Sequence, residues 1–158
     1  MNAAYERLIQ HLDSHEFRYS ANADEHSIIA EFRGEVGHYR ILAQVTDEVK
    51  LFQVFGSAPV RIPPGAKPAV AETLTRVNCG LRLGKFEMEL DEGEFRFQVA
   101  QILTDDELDD EVIQRMIQTT LAMLDRYLPA VLAVIYGNEV PKDAVRHAEG
   151  GLRPDAGD

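Results

Sequence analysis

The sequence is short of cysteine, of basic residues and of long apolar runs, and each shortage narrows the class of protein. Its one cysteine, Cys79, cannot form an intramolecular disulfide, which suits the reducing cytoplasm. Its 16 basic residues stand against 27 acidic ones, and the net charge of −11 argues against unaided binding of nucleic acid. No run reaches the roughly 18–20 apolar residues that span a bilayer, and the first residues contain no apolar signal segment. We therefore expect a cytoplasmic protein without a membrane segment.

The length and composition of the chain predict one folded domain. The chain has 158 residues, of which 45% are hydrophobic, and this is enough to bury one core. Apolar periodicity resumes on both sides of every loop, so we expect a single domain over residues 1–137. The remaining residues, 138–158, end in a polar stretch with several glycines and predict a partly disordered tail.

The spacing of apolar residues predicts an α+β fold. Apolar side chains recur at helical spacing in three segments and alternate along the runs between them. Short loops between consecutive strands favour an antiparallel sheet. Leu42, Phe52 and Val54 add apolar side chains to a second face, which indicates a sheet covered at least in part on both sides. The predicted helices are 2–15, 68–79 and 105–137, the predicted strands are 26–33, 38–45, 49–56 and the two arms of a hairpin at 84–99, and 58–68 is predicted as a proline-rich loop.

Two glycines, Gly80 and Gly84, raise the question of a phosphate-binding loop. A dinucleotide fingerprint places its glycines after a strand and at the start of a helix, and a P-loop continues into Lys-Ser or Lys-Thr. Here the order is helix, glycine, strand, and no such pair follows. The pattern therefore predicts a joint, in which Gly80 ends the second helix in a left-handed conformation and Gly84 starts a strand.

The long third helix has a predicted start and a predicted bend. Thr104 and Glu107 match a capping box at its beginning. A straight helix over 105–137 would be about 50 Å long, against a diameter of about 37 Å for a domain of this size, so Pro129 is expected to bend it. The run 130–136 is apolar on all sides, and two alternatives stay open: the domain's own core covers it, or another chain does.

No set of residues predicts catalysis. His11 and His15 lie one helical turn apart, as metal ligands can, but no further Cys or His ligands accompany them, and packing beside the first helix explains them more simply. The acidic residues of 105–111 lack the ligand spacing and central glycine of a calcium loop, and helix capping with solvation explains them. We expect no catalytic residue, no cofactor and no metal.

Charge is unevenly distributed along the chain. Residues 33–85 hold eight basic and four acidic side chains, whereas residues 86–111 hold one basic and eleven acidic ones. Such a surface can steer a basic segment of a partner protein, and it can equally be a solvated face that keeps the protein soluble. The candidate steering surface on the predicted hairpin consists of Glu87, Glu89, Asp91, Glu92 and Glu94.

Two segments resemble the YbjN family of bacterial proteins, which carry the label of sensory transduction regulators. The first is RVNCGLRLGKFEMELDEGEFRF, with an Asn-x-Gly-Leu-x-x-Gly-x-Phe-like core from Asn78 to Phe86, and the second is LDRYLPAVLAVIYG at 124–137. The resemblance implies a fold similar to type III secretion chaperones, with an antiparallel sheet of about five strands flanked by helices. Those chaperones are usually dimeric and bind partner proteins. By analogy with that fold, the candidate dimer or partner surface consists of Leu74, Val77, Leu81 and Phe86.

Two hypotheses about function follow. The first is a non-enzymatic, homodimeric, chaperone-like protein of regulation or stress response, which buries an apolar segment of a partner protein in a groove or along a sheet edge. The alternative is a small-ligand sensor with a pocket between the sheet and the bent third helix. An enzyme is the least supported of the three classes.

Overall fold

Helices and strands follow one another in the α+β arrangement that the apolar periodicity predicts, and this fold class is confirmed. The computed structural model describes residues 2–150. The helices are α1 (Ala3–Ser14), α2 (Lys67–Gly80), α3 (Asp110–Tyr136) and α4 (Pro141–Glu149), and a 3-10 turn spans Pro64–Ala66. The strands are β1 (Ser20–Asn22), β2 (Ser27–Arg33), β3 (His38–Thr46), β4 (Leu51–Arg61), β5 (Lys85–Glu89) and β6 (Glu94–Ile102).

The six strands form one antiparallel sheet in the order β1-β2-β3-β4-β6-β5. The prediction of about five strands lacks β1, because its three residues are all exposed and show no apolar alternation. β4 continues to Arg61, through residues predicted as loop. Pro59 is accommodated there because the pairing of β4 with β6 is irregular between Ser57 and Arg61.

The helices pack on one face of the sheet. α3 lies on β4 and β6, α1 contacts α3 and β3, and α2 contacts β5. At Gly56 an added Cβ would overlap Thr120 and lie 2.8 Å from Cδ1 of Leu124, so α3 rests directly on the backbone of β4. The buried residues of this face include Ile28, Ala30, Tyr39, Ile41, Ala43, Val45, Phe52, Val54, Phe86, Phe95, Phe97 and Val99.

The prediction that both faces of the sheet are covered is wrong for the described residues. Phe52 is paired with Val45, and Val54 with Ala43, so the side chains of both β4 residues point to the helices. Alternation then places Gln53 and Phe55 on the other face. The error arose because β4 has apolar residues on both of its sides, such as Phe52 on one and Phe55 on the other. Such a run does not reveal which side faces the helices, since that depends on how β4 is paired with β3.

The joint between α2 and β5 is built as the sequence predicts, except at Gly80. Gly80 is the last residue of α2, and the helix ends in an extended Leu81 rather than in a left-handed glycine. The left-handed residue is Gly84, with φ 77°, and an added Cβ there would overlap the Phe97 ring and lie 2.8 Å from the Gln98 carbonyl oxygen. Asn78 spans the joint, since its side chain bonds both to the N–H and to the carbonyl of Phe86, each at 2.8 Å.

The predicted capping box does not start α3. Asp105 and Asp106 have φ values of 56° and 57°, so the chain turns there, and the helix begins at Asp110 after an extended Asp109. The turn is held by the Glu107 amide, which donates to the Thr104 carbonyl, and by an ion pair of 3.1 Å between Lys50 and Asp106. Burial of Leu108 explains the late start, because the chain must first bring this side chain into the core.

α3 continues through Pro129, and the apolar run after it is covered mainly by the chain itself. Ala130, Val131 and Val134 are buried, whereas Tyr136 at the end of the helix is 71% exposed. By length and composition alone α3 could cross a membrane, but its buried side chains pack on the sheet. With 27 residues the helix is about 40 Å long, shorter than the sequence pattern predicts.

The residues after 137 include a helix that the sequence analysis assigned to a disordered tail. α4 packs against α2 and α3, and Ala144 and Val145 are its buried residues. The helix was missed because it is short and mostly polar, with only two buried side chains to mark its periodicity. The part of the predicted tail beyond residue 150 lies outside the described residues.

Candidate partner-binding surface

The open face of the sheet, opposite the helices, carries an apolar row. Ile29 on β2 is paired with Leu42 on β3, and Leu42 is paired with Phe55 on β4. The three side chains therefore stand next to one another on three adjacent strands. Ile29 is 42% exposed, and Leu42 and Phe55 are partly buried by their neighbours. Beyond Phe55 the row continues into Gln98 and Lys85, which are polar.

A charged row runs beside the apolar row, two residues along each strand. It consists of Glu31 on β2, Arg40 on β3, Arg96 on β6 and Glu87 on β5, with Ser57 of β4 at its centre. Arg40 donates to Glu31 at 3.2 Å and Arg96 donates to Glu87 at 2.7 Å, so the charges are paired within the chain. The Arg96 guanidinium also lies 4.8 Å from the centre of the Phe55 ring, which is a cation–π contact.

Glu87, at the β5 end of the charged row, is ionised at neutral pH. Burial by itself would raise the pKa of Glu87, but hydrogen bonds from Arg96 and Gln98 and the charges of Arg96 and Lys85 lower the pKa below its usual value. The four charged side chains thus cancel one another. Covering the charged row would therefore place no net charge in the interface, and the gain would come from the apolar side chains. Lys85, at the far end of the apolar row, adds one positive charge and lies 3.8 Å from Glu87.

The predicted acidic steering surface lies on the β5–β6 hairpin, and most of its carboxylates have structural partners. Glu87 bonds to Arg96, Glu92 lies 3.1 Å from Arg61, and Glu89 accepts from the amides of residues 91 and 92 in the turn. The turn amides lower the pKa of Glu89. Among the described residues, the carboxylates of Asp91 and Glu94 have no ion pair or hydrogen bond, so these two are not engaged within the chain.

The candidate dimer surface proposed by fold analogy needs correction. Leu74, Val77 and Phe86 are 5%, 1% and 2% exposed, and all three belong to the hydrophobic core. Leu81 is partly buried against that core. These side chains pack inside one chain because α2 turns its apolar stripe toward β5 and α3, so another chain cannot reach them without opening the core.

His11 and His15 contact each other at the end of α1. His11 is 2% exposed, its ring centre lies 4.2 Å from that of His15, and its Nδ1 is 3.5 Å from Oδ1 of Asp110. Burial, and next the neighbouring His15, lower the pKa of His11 below its usual value, although Asp110 acts in the opposite direction. Within residues 2–150 no group of three or more His, Cys, Asp or Glu side chains is arranged to hold a metal ion.

The grooves described within residues 2–150 lie beside the contact between the sheet and α3. α3 contacts the sheet directly at Gly56, so the space between sheet and helix is filled there. A groove of about 570 Å³ lies further along α3, between that helix and the β2–β3 loop. One of about 600 Å³ lies beside the charged row, and Glu31, Arg40, Ser57, Arg61 and Glu94 line it. Another, of about 450 Å³, lies between the α2–β5 loop and α3.

The apolar row is the feature that sequence reasoning missed. Leu42 was placed correctly on the second face, but Phe52 and Val54 were grouped with it in place of Phe55. The signal was present, since a strict alternation from Leu51 gives Gln53 and Phe55 on one side. What the sequence does not contain is the register that places Ile29 and Phe55 on either side of Leu42.

Comparison with known proteins agrees with the fold. A crystal structure described as "YbjN, a putative transcription regulator from E. coli" is similar, with a TM-score of 0.55 and 12% sequence identity over 84% of this chain and 90% of that chain. At this identity the likeness concerns the fold. No curated protein matches the sequence. The family model for YbjN, described as "Putative bacterial sensory transduction regulator", matches residues 4–133.

This match covers nearly all of α1, the whole sheet, α2 and most of α3. It confirms the resemblance to the family and includes the segment from Asn78 to Phe86 and the second segment, 124–137, as far as residue 133. The chain belongs to the YbjN family of bacterial regulators.

Proposed function

We propose that this regulator acts without catalysis, by binding a segment of a partner protein on the open face of its sheet. The observation that supports this most is the apolar row of Ile29, Leu42 and Phe55, which no described helix covers. A buried apolar row stabilises a complex in proportion to the area it removes from water. The charged row beside it is already paired, so it can be covered without leaving a charge unpartnered.

The shape of the apolar row favours an extended segment as the partner. The row contains three apolar side chains on three adjacent strands, and the charged row lies directly beside it. Three side chains in line match one face of a single strand or helix, whereas a standard interface between globular proteins uses roughly 20–30 residues on each side. We therefore propose a strand-like or helical segment with a row of apolar side chains, of the kind that chaperones receive.

The partner segment is also basic. Asp91 and Glu94 are the unpaired carboxylates of the hairpin beside the open face, and the protein as a whole carries a net charge of −11. Such a field raises the rate of encounter with a basic segment and is screened by salt. We propose that the protein works in the cytoplasm as a homodimer, which is supported by the resemblance to type III secretion chaperones.

The test is affinity capture of the tagged protein from lysate of its own cells, at low and at moderate salt, with mass spectrometry of the retained proteins. Wild type is compared with Leu42→Ser/Phe55→Ser, which removes two members of the apolar row while keeping the strands. The expected result is one stoichiometric partner that wild type retains at low salt, that moderate salt weakens, and that the double variant loses.

The matched control is Val36→Ser, because Val36 is 49% exposed but lies in the β2–β3 loop, away from the apolar row. It should retain the partner as wild type does. Recovery of the tagged protein alone under both salt conditions would contradict the proposal, as would a partner that the double variant holds equally well. In either case a screen for ligands that raise the melting temperature would test the sensor hypothesis.

A further inference from the structure

The open face of the sheet divides into a charged half and an uncharged half. The apolar row lies on the boundary, and the charged row lies on one side of it, together with Arg33, His38 and Glu94. On the other side, the described residues of β1 to β4 and β6 that point to the open face carry no charge. Besides the apolar row, this uncharged half consists of Asn22, Ser27, Gln44, Thr46, Leu51, Gln53, Ala100 and Ile102.

A second pair of apolar side chains lies at the far end of the uncharged half. Leu51 on β4 is paired with Ile102 on β6, four residues along β4 from Phe55. Ile102 is 72% exposed, more than any other large apolar side chain of residues 2–150. At about 3.4 Å per residue, this pair lies about 14 Å from the apolar row. Two apolar contacts on one uncharged surface indicate a place where a partner binds.

The centre of the uncharged half is polar, and part of its hydrogen-bonding capacity is unused. The Gln53 amide donates to Oε1 of Gln98 at 3.4 Å, and the Gln44 amide donates to the carbonyl of Glu25 at 3.2 Å. Within residues 2–150 the Oε1 atoms of Gln44 and Gln53 accept no hydrogen bond. Covering these atoms with an apolar surface costs free energy, so a partner has to place a hydrogen-bond donor between its two apolar contacts.

The dimensions of the uncharged half match one α-helix. From β2 to β6 it is about 14 Å wide at about 4.8 Å per strand, and a helix with its side chains is about 10–12 Å across. A helix pairs its own backbone groups, whereas a single strand laid on the face of a sheet leaves its backbone N–H and carbonyl groups unpaired. α3 already packs on the other face of β4 and β6, so these strands accept a helix on one side.

We propose that the partner segment is an amphipathic α-helix that lies over the uncharged half, with one apolar side chain on the apolar row and another on Leu51 and Ile102. In a helix, residues seven, eight or eleven apart share one face and are about 10–17 Å apart, which includes the separation of the two contacts. Between them the helix presents a hydroxyl or amide donor to Gln53. This inference rests on the proposed function, because it names the kind of segment that binds the same face.

The test is photo-crosslinking in the cells that produce the protein, with p-benzoylphenylalanine in place of Phe55 in one chain and in place of Ile102 in another. Mass spectrometry then identifies the residues of the partner that are attached at each position. Both chains should attach the same segment, at residues seven to eleven apart. The control carries the crosslinker at Val36, which is 49% exposed in the β2–β3 loop, and it should attach no part of that segment.

A synthetic peptide of the attached segment provides a second readout, by fluorescence anisotropy with the full-length chain. Leu51→Ser/Ile102→Ser should weaken binding of the peptide at least tenfold, because this change removes one of the two apolar contacts. Val36→Ser, which also replaces an exposed apolar side chain, should bind the peptide as wild type does. Equal affinity of the double variant and wild type would overturn the second contact.

The outcomes separate this inference from the proposed function. Attachment at Phe55 but not at Ile102 would overturn the inference and leave the proposed function in place. A spacing outside seven to eleven residues would overturn the helix, and a spacing of about four would indicate an extended strand. Attachment to a second copy of the chain would also overturn it, in favour of a dimer on this face. Attachment at neither position would contradict the proposed function as well.

Discussion

At the scale of single residues, two hydrogen bonds of Asn78 explain the interval of eight residues between Asn78 and Phe86 in the segment that resembles the YbjN family. Its side-chain amide donates to the carbonyl of Phe86 and accepts from the N–H of the same residue. Phe86 lies on β5, at the edge of the sheet, so both backbone groups would otherwise lack a partner there. The interval of eight residues is the length of chain that brings the end of α2 back to this edge, with Gly84 making the turn.

Replacing Asn78 with Ala should therefore destabilise the fold without changing the open face. Loss of both hydrogen bonds to a buried residue predicts a decrease of about 1–2 kcal/mol in the free energy of unfolding. Urea denaturation followed by circular dichroism measures it. Gln114→Ala, which removes an exposed amide from α3, is the control and should be within about 0.5 kcal/mol of wild type. Equal stability of the two variants would contradict the role of Asn78.

At the scale of elements, the start of α3 shows that a local sequence pattern and the packing of the chain can favour different structures. Thr104 and Glu107 have the spacing of a capping box, yet Thr104 makes only a backbone contact in a turn, and the helix begins six residues later. Two left-handed residues, Asp105 and Asp106, form the turn, and aspartate is one of the residues that tolerates this conformation. Local propensity allowed both structures, and burial of Leu108 selected the turn.

The substitution Thr104→Ala distinguishes these structures. A helix cap would lose about 1 kcal/mol on this change, whereas the exposed side chain seen here predicts a change within about 0.5 kcal/mol. Leu108→Ala, four residues on, should cost about 2 kcal/mol or more because it empties a buried site. Both values come from thermal or urea unfolding. If Thr104→Ala lowered the free energy of unfolding by about 1 kcal/mol, the result would support the capping box instead of the turn.

Asp125 ties α3 to the β2–β3 loop, and its titration should be visible in stability. Its carboxylate accepts from the amides of Glu35 and Val36 at 2.9 and 3.0 Å and from the Tyr39 hydroxyl at 2.6 Å. Burial acts to raise the pKa of Asp125, but these bonds lower it below its ordinary value of 3.8. The stabilisation is therefore fully present above the ordinary value and is lost as the pH falls through the lowered one.

Asp125→Asn should accordingly be less stable than wild type by about 1–2 kcal/mol at pH 7, because neutral acceptors form weaker bonds. The difference should stay constant down to about pH 5 and shrink as the pH falls toward 3. Urea unfolding at several pH values measures it, with Asp91→Asn as a control at an exposed carboxylate. A difference that grows at low pH would contradict the account of this contact.

At the scale of the whole molecule, the sequence predicted the α+β class and the order of its main elements, because apolar periodicity and turn residues are local. It did not predict which face of the sheet is open. That depends on the pairing of Val54 with Ala43, which is a relation between strands and leaves no trace in either strand alone. α4 was missed for a related reason, since its stability comes from α2 and α3 rather than from its own nine residues.

The oligomeric state is a prediction at the same scale. A homodimer is expected from the resemblance to type III secretion chaperones, although three of the four residues predicted for its surface, Leu74, Val77 and Phe86, are buried. Sedimentation equilibrium should give about twice the chain mass of 17.7 kDa over a range of concentrations. A measured mass equal to that of one chain at every concentration would contradict the homodimer. It would not affect the proposal that a partner binds on the open face.

The central claim, that a partner protein binds on the open face, is tested most directly by methyl NMR of the labelled protein during titration with the captured partner. The methyl resonances of Ile29 and Leu42 should shift or broaden in proportion to the complex formed. Those of Val36 and Val49, which are exposed in loops and turns away from the open face, should stay unchanged. Perturbation confined to these exposed residues or to the helical side, with Ile29 and Leu42 unmoved, would contradict the assignment of the open face.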